Sequence, residues 1–406
     1  MTRERSPATL VLVFCCAEAA SMAGFALVPS LLPRFSIKWS LSATESGWLS
    51  GIFFLGYILA VPLLVGLTDR IDARRVYLAS ATTTALALAG FSRFADGLTT
   101  ALCWWCLAGF GLAGTYMPGL KAMTDRLPLA AQSRGTAFYT ATFGVGAGLS
   151  YLWIELSQTV LSWSSSFALA AAAATLAVVL VWRGVAPKPA PPARPVARRL
   201  WTQVLRDRRI LAFCGAYFGH NWELFGFRSW LVAYLAWTQA SRPEAWTAMP
   251  GVIAALATFL AVPASILGNE GAHRWGRQRW LRTVMPLSCA LALLVAVLAG
   301  SLSSALLVVL LLVYAASMNL DSAALTAGLL TETAPAIRGT ALALYSSTGF
   351  AGGFVGPVVF GVALDYFGQA TQTGWAAGFV TLAGGVAFGR WSIGHGGTAN
   401  HDQRSS

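Results

Sequence analysis

Charge is scarce in this sequence. Asp, Glu, Lys and Arg make up 11% of its 406 residues, less than half of the quarter or so that a soluble domain carries. Too few polar side chains remain to cover a water-facing surface, which excludes a soluble enzyme or binding module. Acids are scarcer than bases, 16 against 28. Histidine occurs four times, and no His–His pair at i,i+4 frames a glutamate as zinc helices require. Neither a bound metal nor a cofactor is therefore expected. A Gly-rich phosphate loop ending in Lys-Ser/Thr is also missing, which argues against ATP-driven work, and the chain is not expected to be an enzyme. The six cysteines (Cys15, Cys16, Cys103, Cys106, Cys214, Cys289) all fall in apolar stretches, so no disulfide framework is expected. Cys103-Trp-Trp-Cys106 reads as bulky packing residues of a helix.

What the chain does have is apolar sequence in long blocks. Leu10 to Leu32 holds one charged residue, and Trp48 to Leu67 holds none. Each block can cross ~30 Å of hydrocarbon as a helix, at about 1.5 Å per residue. A membrane β-barrel would show short alternating segments instead. The reading is all-α and integral to the membrane, with twelve transmembrane helices near 10–32, 46–67, 76–95, 99–123, 134–156, 163–182, 210–238, 246–268, 281–300, 303–330, 338–362 and 374–393. The first block is too long for a signal-peptide core, so the N-terminus is expected to stay on.

The net charge of +12 is distributed as a topology signal. With the N-terminus inside, all but five of the 28 Lys and Arg fall in cytoplasmic segments. Arg34, Lys38, Arg93 and Arg242 lie outside, and Arg228 lies within a span. That bias places both termini in the cytoplasm, and the expected location is the bacterial cytoplasmic (inner) membrane. The basic loops meet anionic lipid; no nucleic acid partner is expected.

The chain divides in two. Ala186 to Pro195 is Pro-rich, where a helix cannot persist. The basic segment that follows, Arg198 to Arg209, spaces Leu200, Trp201, Val204 and Leu205 as a short amphipathic helix would. The expected organisation is an N-terminal six-helix bundle (1–182), a cytoplasmic linker (183–209), a C-terminal six-helix bundle (210–393) and a cytoplasmic tail (394–406). The halves share words at one offset. Arg134-Gly-Thr-Ala137 recurs as Arg338-Gly-Thr-Ala341, and the same displacement of 204 carries Arg70 onto Arg274 and Arg75 onto Arg279. Parallel six-helix repeats are an architecture of transporters, with the substrate near the bilayer midplane.

After span 2 the chain reads Gly66-Leu-Thr-Asp69-Arg70-Ile-Asp72-Ala-Arg74-Arg75. After span 8 it reads Gly268-Asn-Glu-Gly-Ala-His273-Arg274-Trp-Gly276-Arg277-Gln-Arg279. These segments resemble the loop signatures of the major facilitator superfamily, and with the span count and repeat the resemblance covers nearly the whole chain. It implies two pseudo-symmetric bundles, transport by alternating access, a monomer, and a gating role for Gly66, Asp69, Arg70, Arg74, Arg75, Arg134, Arg274, Gly276, Arg277 and Arg338. In that family the loop acid, here Asp69, docks on the cytoplasmic start of helix 11, here near Arg338 and Gly339. A carboxylate at a helix N-terminus is favoured by the dipole. Two departures stand out: Asp72-Ala73 where one Gly is usual, and His273 in place of the second acid, which predicts a weak second latch. Two others weaken a multidrug-antiporter reading. Trp105 precedes Gly109 where such antiporters have Arg, and Gly144-Val-Gly-Ala-Gly148 lacks the usual proline, although Gly356-Pro357 occurs in span 11.

Ionisable side chains at bilayer depth cost at least ~2.5–3.5 kcal/mol on insertion scales, so each marks a candidate site. Span 7 carries His220-Asn221-Trp-Glu223 and Arg228. His220 and Glu223 share a face at i,i+3 and can hydrogen-bond. Glu18 lies mid-span 1, and Asp321 follows Asn319 in span 10. Buried carboxylates and histidine can take up and release protons. The expectation is proton coupling at Glu18, His220 and Glu223, with substrate contacts from Asn221, Arg228, Asp321 and Tyr345. Tyr139 and Tyr151 are further cavity candidates. Lys121 is expected to pair with Asp125 or with lipid phosphate, and Glu155 to be solvated.

The function so implied is secondary active transport of a small organic solute, leaning to one with an anionic group because of Arg228, coupled to protons. Its partners are then a small-molecule substrate, protons and lipid. Proton-driven efflux of a xenobiotic or metabolite is the alternative within the class. A non-transporting receptor or assembly factor is the alternative from another class.

Overall fold

The computed structural model describes residues 6–189, 198–242 and 249–396. Among these residues every regular element is helical. Fifteen α-helices follow in chain order: α1 (Pro7–Ser21), α2 (Leu27–Lys38), α3 (Ala43–Leu67), α4 (Ala73–Phe94), α5 (Leu98–Thr124), α6 (Leu129–Ser157), α7 (Trp163–Gly184), α8 (Arg198–Arg206), α9 (Arg208–Ser241), α10 (Pro250–Trp275), α11 (Arg277–Leu298), α12 (Ser304–Ser317), α13 (Ser322–Glu332), α14 (Arg338–Phe367) and α15 (Gln372–Gly396). Pairing α1 with α2 and α12 with α13 leaves twelve long helical stretches beside the short α8. They coincide with the expected spans. Eight of the stretches are long and apolar enough to cross a membrane by length and composition. The rest, α4, α6, α9 and α15, carry more charge or polar small residues. Large apolar side chains stay exposed along the helices, among them Leu59, Leu63, Leu86, Leu293 and Val297. Such surfaces suit hydrocarbon.

The chain forms two compact units. One comprises residues 1–32 and 52–195, the other 33–51 and 196–406. Residues 33–51, which the sequence reading puts in the N-terminal bundle, thus group with the second unit. In the first unit α4 packs on α5 and α7, and α1 on α6 and α7, around Phe14, Tyr77, Tyr139 and Val181. Close approach there depends on glycine: a Cβ on Gly109 would overlap the carbonyl of Phe53, and one on Gly56 the carbonyl of Cys106. In the second unit α9 packs on α14 and α15, over a core including Phe213, Leu281, Leu325 and Val386. Asp365 accepts from the backbone N–H groups of Ala43, at 2.9 Å, and Thr44, at 2.7 Å, capping the start of α3.

Two spans expected to be continuous are broken. Span 1 passes through a 3₁₀ turn at Met22–Gly24, and its released backbone groups find partners on α6. Ser150 Oγ and Trp153 Nε1 donate to the Ala23 carbonyl, both at 2.9 Å, and Ser150 Oγ accepts from Ala26 N–H at 3.0 Å. Span 10 breaks between Ser317 and Ser322. There Trp280 Nε1 donates to the Leu320 carbonyl at 2.9 Å, and Asn319 Nδ2 to the Ala315 carbonyl at 2.7 Å. Irregular backbone at membrane depth persists only where such groups satisfy it.

In the loop between α10 and α11, Gly276 has φ +84°, a conformation open to glycine and strained for any side chain. The motif glycine therefore has a local reason to be there. Lys121 pairs with Asp125 at 3.0 Å, as expected. Glu155 is not solvated: it is 7% exposed and accepts from Gln158 Nε2 at 2.6 Å.

Candidate functional site

The buried ionisable groups gather at the two broken spans. In the first unit Glu18 is fully buried one turn before the break in span 1. The hydroxyl of Tyr139, on α6, lies 3.0 Å from Glu18 Oε2 and 3.0 Å from the carbonyl of Thr115. A phenol has one proton and these are two acceptors. Both contacts are satisfied together only when Glu18 carries a proton of its own and donates it to the Tyr139 oxygen. When Glu18 is ionised, Tyr139 must turn its proton to one acceptor and leave the other. Glu18 Oε1 has no hydrogen-bond partner among the described residues, and no described cation pairs with the acid. Gly119 makes the arrangement possible, since a Cβ there would collide with the Tyr139 hydroxyl.

In the second unit His220 Nδ1 stands 2.8 Å from Asp321 Oδ1, with side chains 1% and 4% exposed. The contact is close without the alignment of a hydrogen bond. Asp321 sits at the break of span 10, as the residue before α13. Glu223 takes a different partner: Ser288 Oγ on α11 donates to its Oε1 at 2.7 Å, and Ser317 Oγ lies 3.5 Å from Ser288 Oγ. The buried Tyr314 phenol lies against the same carboxylate. The His220–Glu223 hydrogen bond expected from i,i+3 spacing is therefore not formed. Shared helix face permits a contact, but a partner on a neighbouring helix offers better geometry.

The residues expected to meet substrate separate into two groups. Asn221 and Tyr345 lie with the His220–Asp321 pair. Tyr217 stacks on Tyr345, with ring centroids 4.0 Å apart, and on His220, at 5.8 Å. Tyr345 shares a 3.2 Å hydrogen bond with Thr326. Gly349 leaves the room that Tyr217 and Asn221 Nδ2 occupy. Arg228 stands apart, half-buried two turns along α9, with its guanidinium carbon 5.9 Å from the Phe225 ring centre. Sequence reasoning missed Ser288, Tyr217 and Thr326. Small hydroxyls and single aromatics carry no signal in a chain so rich in both.

In the loops, Asp72 is a hub of the first unit. It caps α4 through Arg74 N–H at 3.0 Å, accepts from Arg126 at 2.6 Å and from Lys188 N–H at 2.7 Å. Its departure from the usual loop pattern has a structural use, tying the start of the linker to α4 and the end of α5. Arg74 donates to the carbonyl of Trp182 at 2.7 Å, and Arg277 to Thr331 Oγ1 at 2.6 Å. Asp69 and Arg70 are exposed.

The family model of the Major Facilitator Superfamily matches residues 13–357. The chain belongs to this superfamily. Solved structures share its fold at low identity. The nucleoside transporter NupG superposes with a TM-score of 0.76 at 15% identity, covering 96% of this chain and all of that one. A bacterial homologue of the human lysosomal transporter Spinster gives 0.78 at 12%, over 98% and 97%. The POT family transporter PepTSo gives 0.75 at 14%, over 99% of each. The niacin transporter NiaP of Acinetobacter baylyi is 29% identical over 108 residues, or 27% of this chain and 24% of the relative. The chain thus spans about a quarter of the curated relative it matches. Within the superfamily, this chain has a multi-pass membrane transporter fold.

Proposed function

We propose that the chain is a proton-coupled secondary transporter, moving a small organic solute with an anionic group across the bacterial cytoplasmic membrane by alternating access. The observation that carries this reading is the buried His220–Asp321 pair at the break of span 10. An imidazole facing a buried carboxylate, beside backbone released from helix, joins two groups able to bind protons to a segment able to change shape. Glu18 and Tyr139 repeat the combination at the break of span 1. In this reading Asp321 serves the proton and not the substrate, while Asn221, Tyr345 and Arg228 remain candidates for solute contact. Asp69, Arg134 and Arg338 with the loop glycines and arginines serve gating, and the carrier works as a monomer with both termini cytoplasmic.

Nicotinate is the first solute to test, because a relative is named a niacin transporter and nicotinate is an aromatic monocarboxylate. Protein in liposomes enclosing a pH-sensitive dye is exposed to organic anions, cations and neutral solutes. The expected result is an internal pH change dependent on one anionic solute, lost in Asp321→Asn and Glu18→Gln. Solute flux with no proton movement would make the protein a facilitator and overturn the coupling.

A further inference from the structure

The first unit carries an open groove of about 480 Å³ between α1 and α6, along which Leu12, Arg134 and Phe138 are exposed, and the proton pairs described above do not use it. Its lining follows one stripe from each helix. Val11, Leu12 and Cys15 come from α1, and Arg134, Phe138 and Thr142, spaced four apart, come from α6. Residues three or four apart share a helix face, so the groove is graded along its length. At one end are the first residues of α1, Pro7 and Ala8, with Arg134. Apolar Val11, Leu12 and Phe138 form the middle. Cys15 and Thr142 close the inner end, the Thr142 hydroxyl donating to the Phe138 carbonyl at 2.8 Å. Glu18 follows Cys15 by one turn of α1, and its partner Tyr139 precedes Thr142 by one turn of α6.

Arg134 is the charged residue of this lining. Among the described residues no acid lines the groove, and none of the described ion pairs includes Arg134. Its counterpart in the repeat behaves differently: Arg338 Nε donates to the carbonyl of Thr333 at 3.0 Å and so folds back on its own loop. The two arginines share a sequence word without sharing a job. A guanidinium presented to an apolar groove suits a ligand with one carboxylate and an apolar body. A second negative charge would meet no further cation among the described residues of the lining. The volume matches the small-molecule range.

We propose that this groove binds a small organic monocarboxylate, with Arg134 on the carboxylate and the ring or chain against Val11, Leu12 and Phe138. The assignment rests on the transport reading for its purpose and names the substrate class that reading leaves open. It moves the anion contact from Arg228 to Arg134 and takes Arg134 out of the gating set. It also sets the ligand's apolar body about two helical turns of α1 from Glu18, with Cys15 between them.

The test is binding to the purified full-length protein in detergent, by titration calorimetry with benzoate, nicotinate and hexanoate, and with the neutral benzamide and nicotinamide. At least one carboxylate is expected to bind tenfold or more tightly than its amide. Arg134→Gln should weaken that carboxylate about tenfold without changing the amide, and Arg134→Lys should restore part of the loss. In a variant retaining Cys15 alone among the cysteines, the same carboxylate at saturation should slow maleimide labelling of Cys15 several-fold. No carboxylate binding, equal binding by Arg134→Gln, or labelling unaffected by ligand each overturns the site. So does protection of Cys15 in phosphatidylglycerol nanodiscs without added carboxylate, which would make the occupant a lipid. Failure of the site with proton-driven flux intact leaves the transport reading standing. Binding with no flux of any solute removes the transport reading and keeps the site.

Discussion

His220 Nδ1 and Asp321 Oδ1 lie 2.8 Å apart on two helices of the second unit, both nearly inaccessible. Groups in direct contact act as a unit, and substitutions within a unit are not additive. His220→Gln and Asp321→Asn are each expected to lower proton-driven accumulation by at least tenfold in liposomes. The double variant should be no worse than either single one. Solute counterflow, which needs no net proton movement, should survive in all three. Additive losses would mean that the two residues work separately.

Glu18 and Tyr139 make a complementary prediction. Tyr139→Phe leaves Glu18 Oε2 and the Thr115 carbonyl without the hydroxyl they share as a partner, which costs about 1–3 kcal/mol, and the melting temperature in detergent should fall by several degrees. Glu18→Gln keeps a hydrogen-bonding side chain of the same shape and should melt close to the parent protein, yet release no proton. Separation of stability from coupling in the two variants is the diagnostic result. A Glu18→Gln variant that still couples solute to proton flux removes Glu18 from the pathway.

The places of the long apolar helices were readable because an apolar stretch of about twenty residues has one good solution in a bilayer. Glu18, His220, Glu223 and Asp321 were readable because ionisable groups at that depth are rare. Their partners were not. Helical spacing says which residues share a face, and so favoured His220 with Glu223, but only tertiary packing decides which face meets Asp321 or Ser288. The breaks at Met22–Gly24 and at 318–321 were equally hidden. Gly24 is one glycine among 40, and the second break contains neither glycine nor proline. Arg134 shows a limit of repeats: the word shared with Arg338 indicated common descent of two segments and nothing about which arginine folds onto its own loop.

Asp72 predicts a pH effect on stability. Burial alone would raise its carboxyl, but hydrogen bonds from Arg126 and from the N–H groups of Lys188 and Arg74 outweigh burial and hold it below the usual aspartate range. A carboxyl depressed in the folded state stabilises the protein above its unfolded pKa of about 4. That contribution is lost as pH falls through the lower folded value. Asp72→Asn should therefore lower stability at pH 7 by about 2 kcal/mol, the loss of hydrogen bonds to a charged group. The difference from the parent should narrow below pH 4. Melting curves between pH 3 and pH 8 check both parts, and a difference that stays constant with pH would show that the carboxylate charge plays no part.

Two glycines of the first unit separate packing from gating. A Cβ on Gly109 would overlap the Phe53 carbonyl, so Gly109→Ala must push α5 from α3, at a cost of about 1–3 kcal/mol. A Cβ on Gly66 meets nothing within 4 Å, and alanine is the better residue in a helix by about 1 kcal/mol. Gly66→Ala should therefore melt at the parent temperature or a little above. If the loop after α3 gates transport, the same variant should nevertheless move solute several-fold more slowly, because a gate requires close approach in a state other than the one described. Normal flux in Gly66→Ala would take that glycine out of the gate and leave its place in the motif without a mechanical reason.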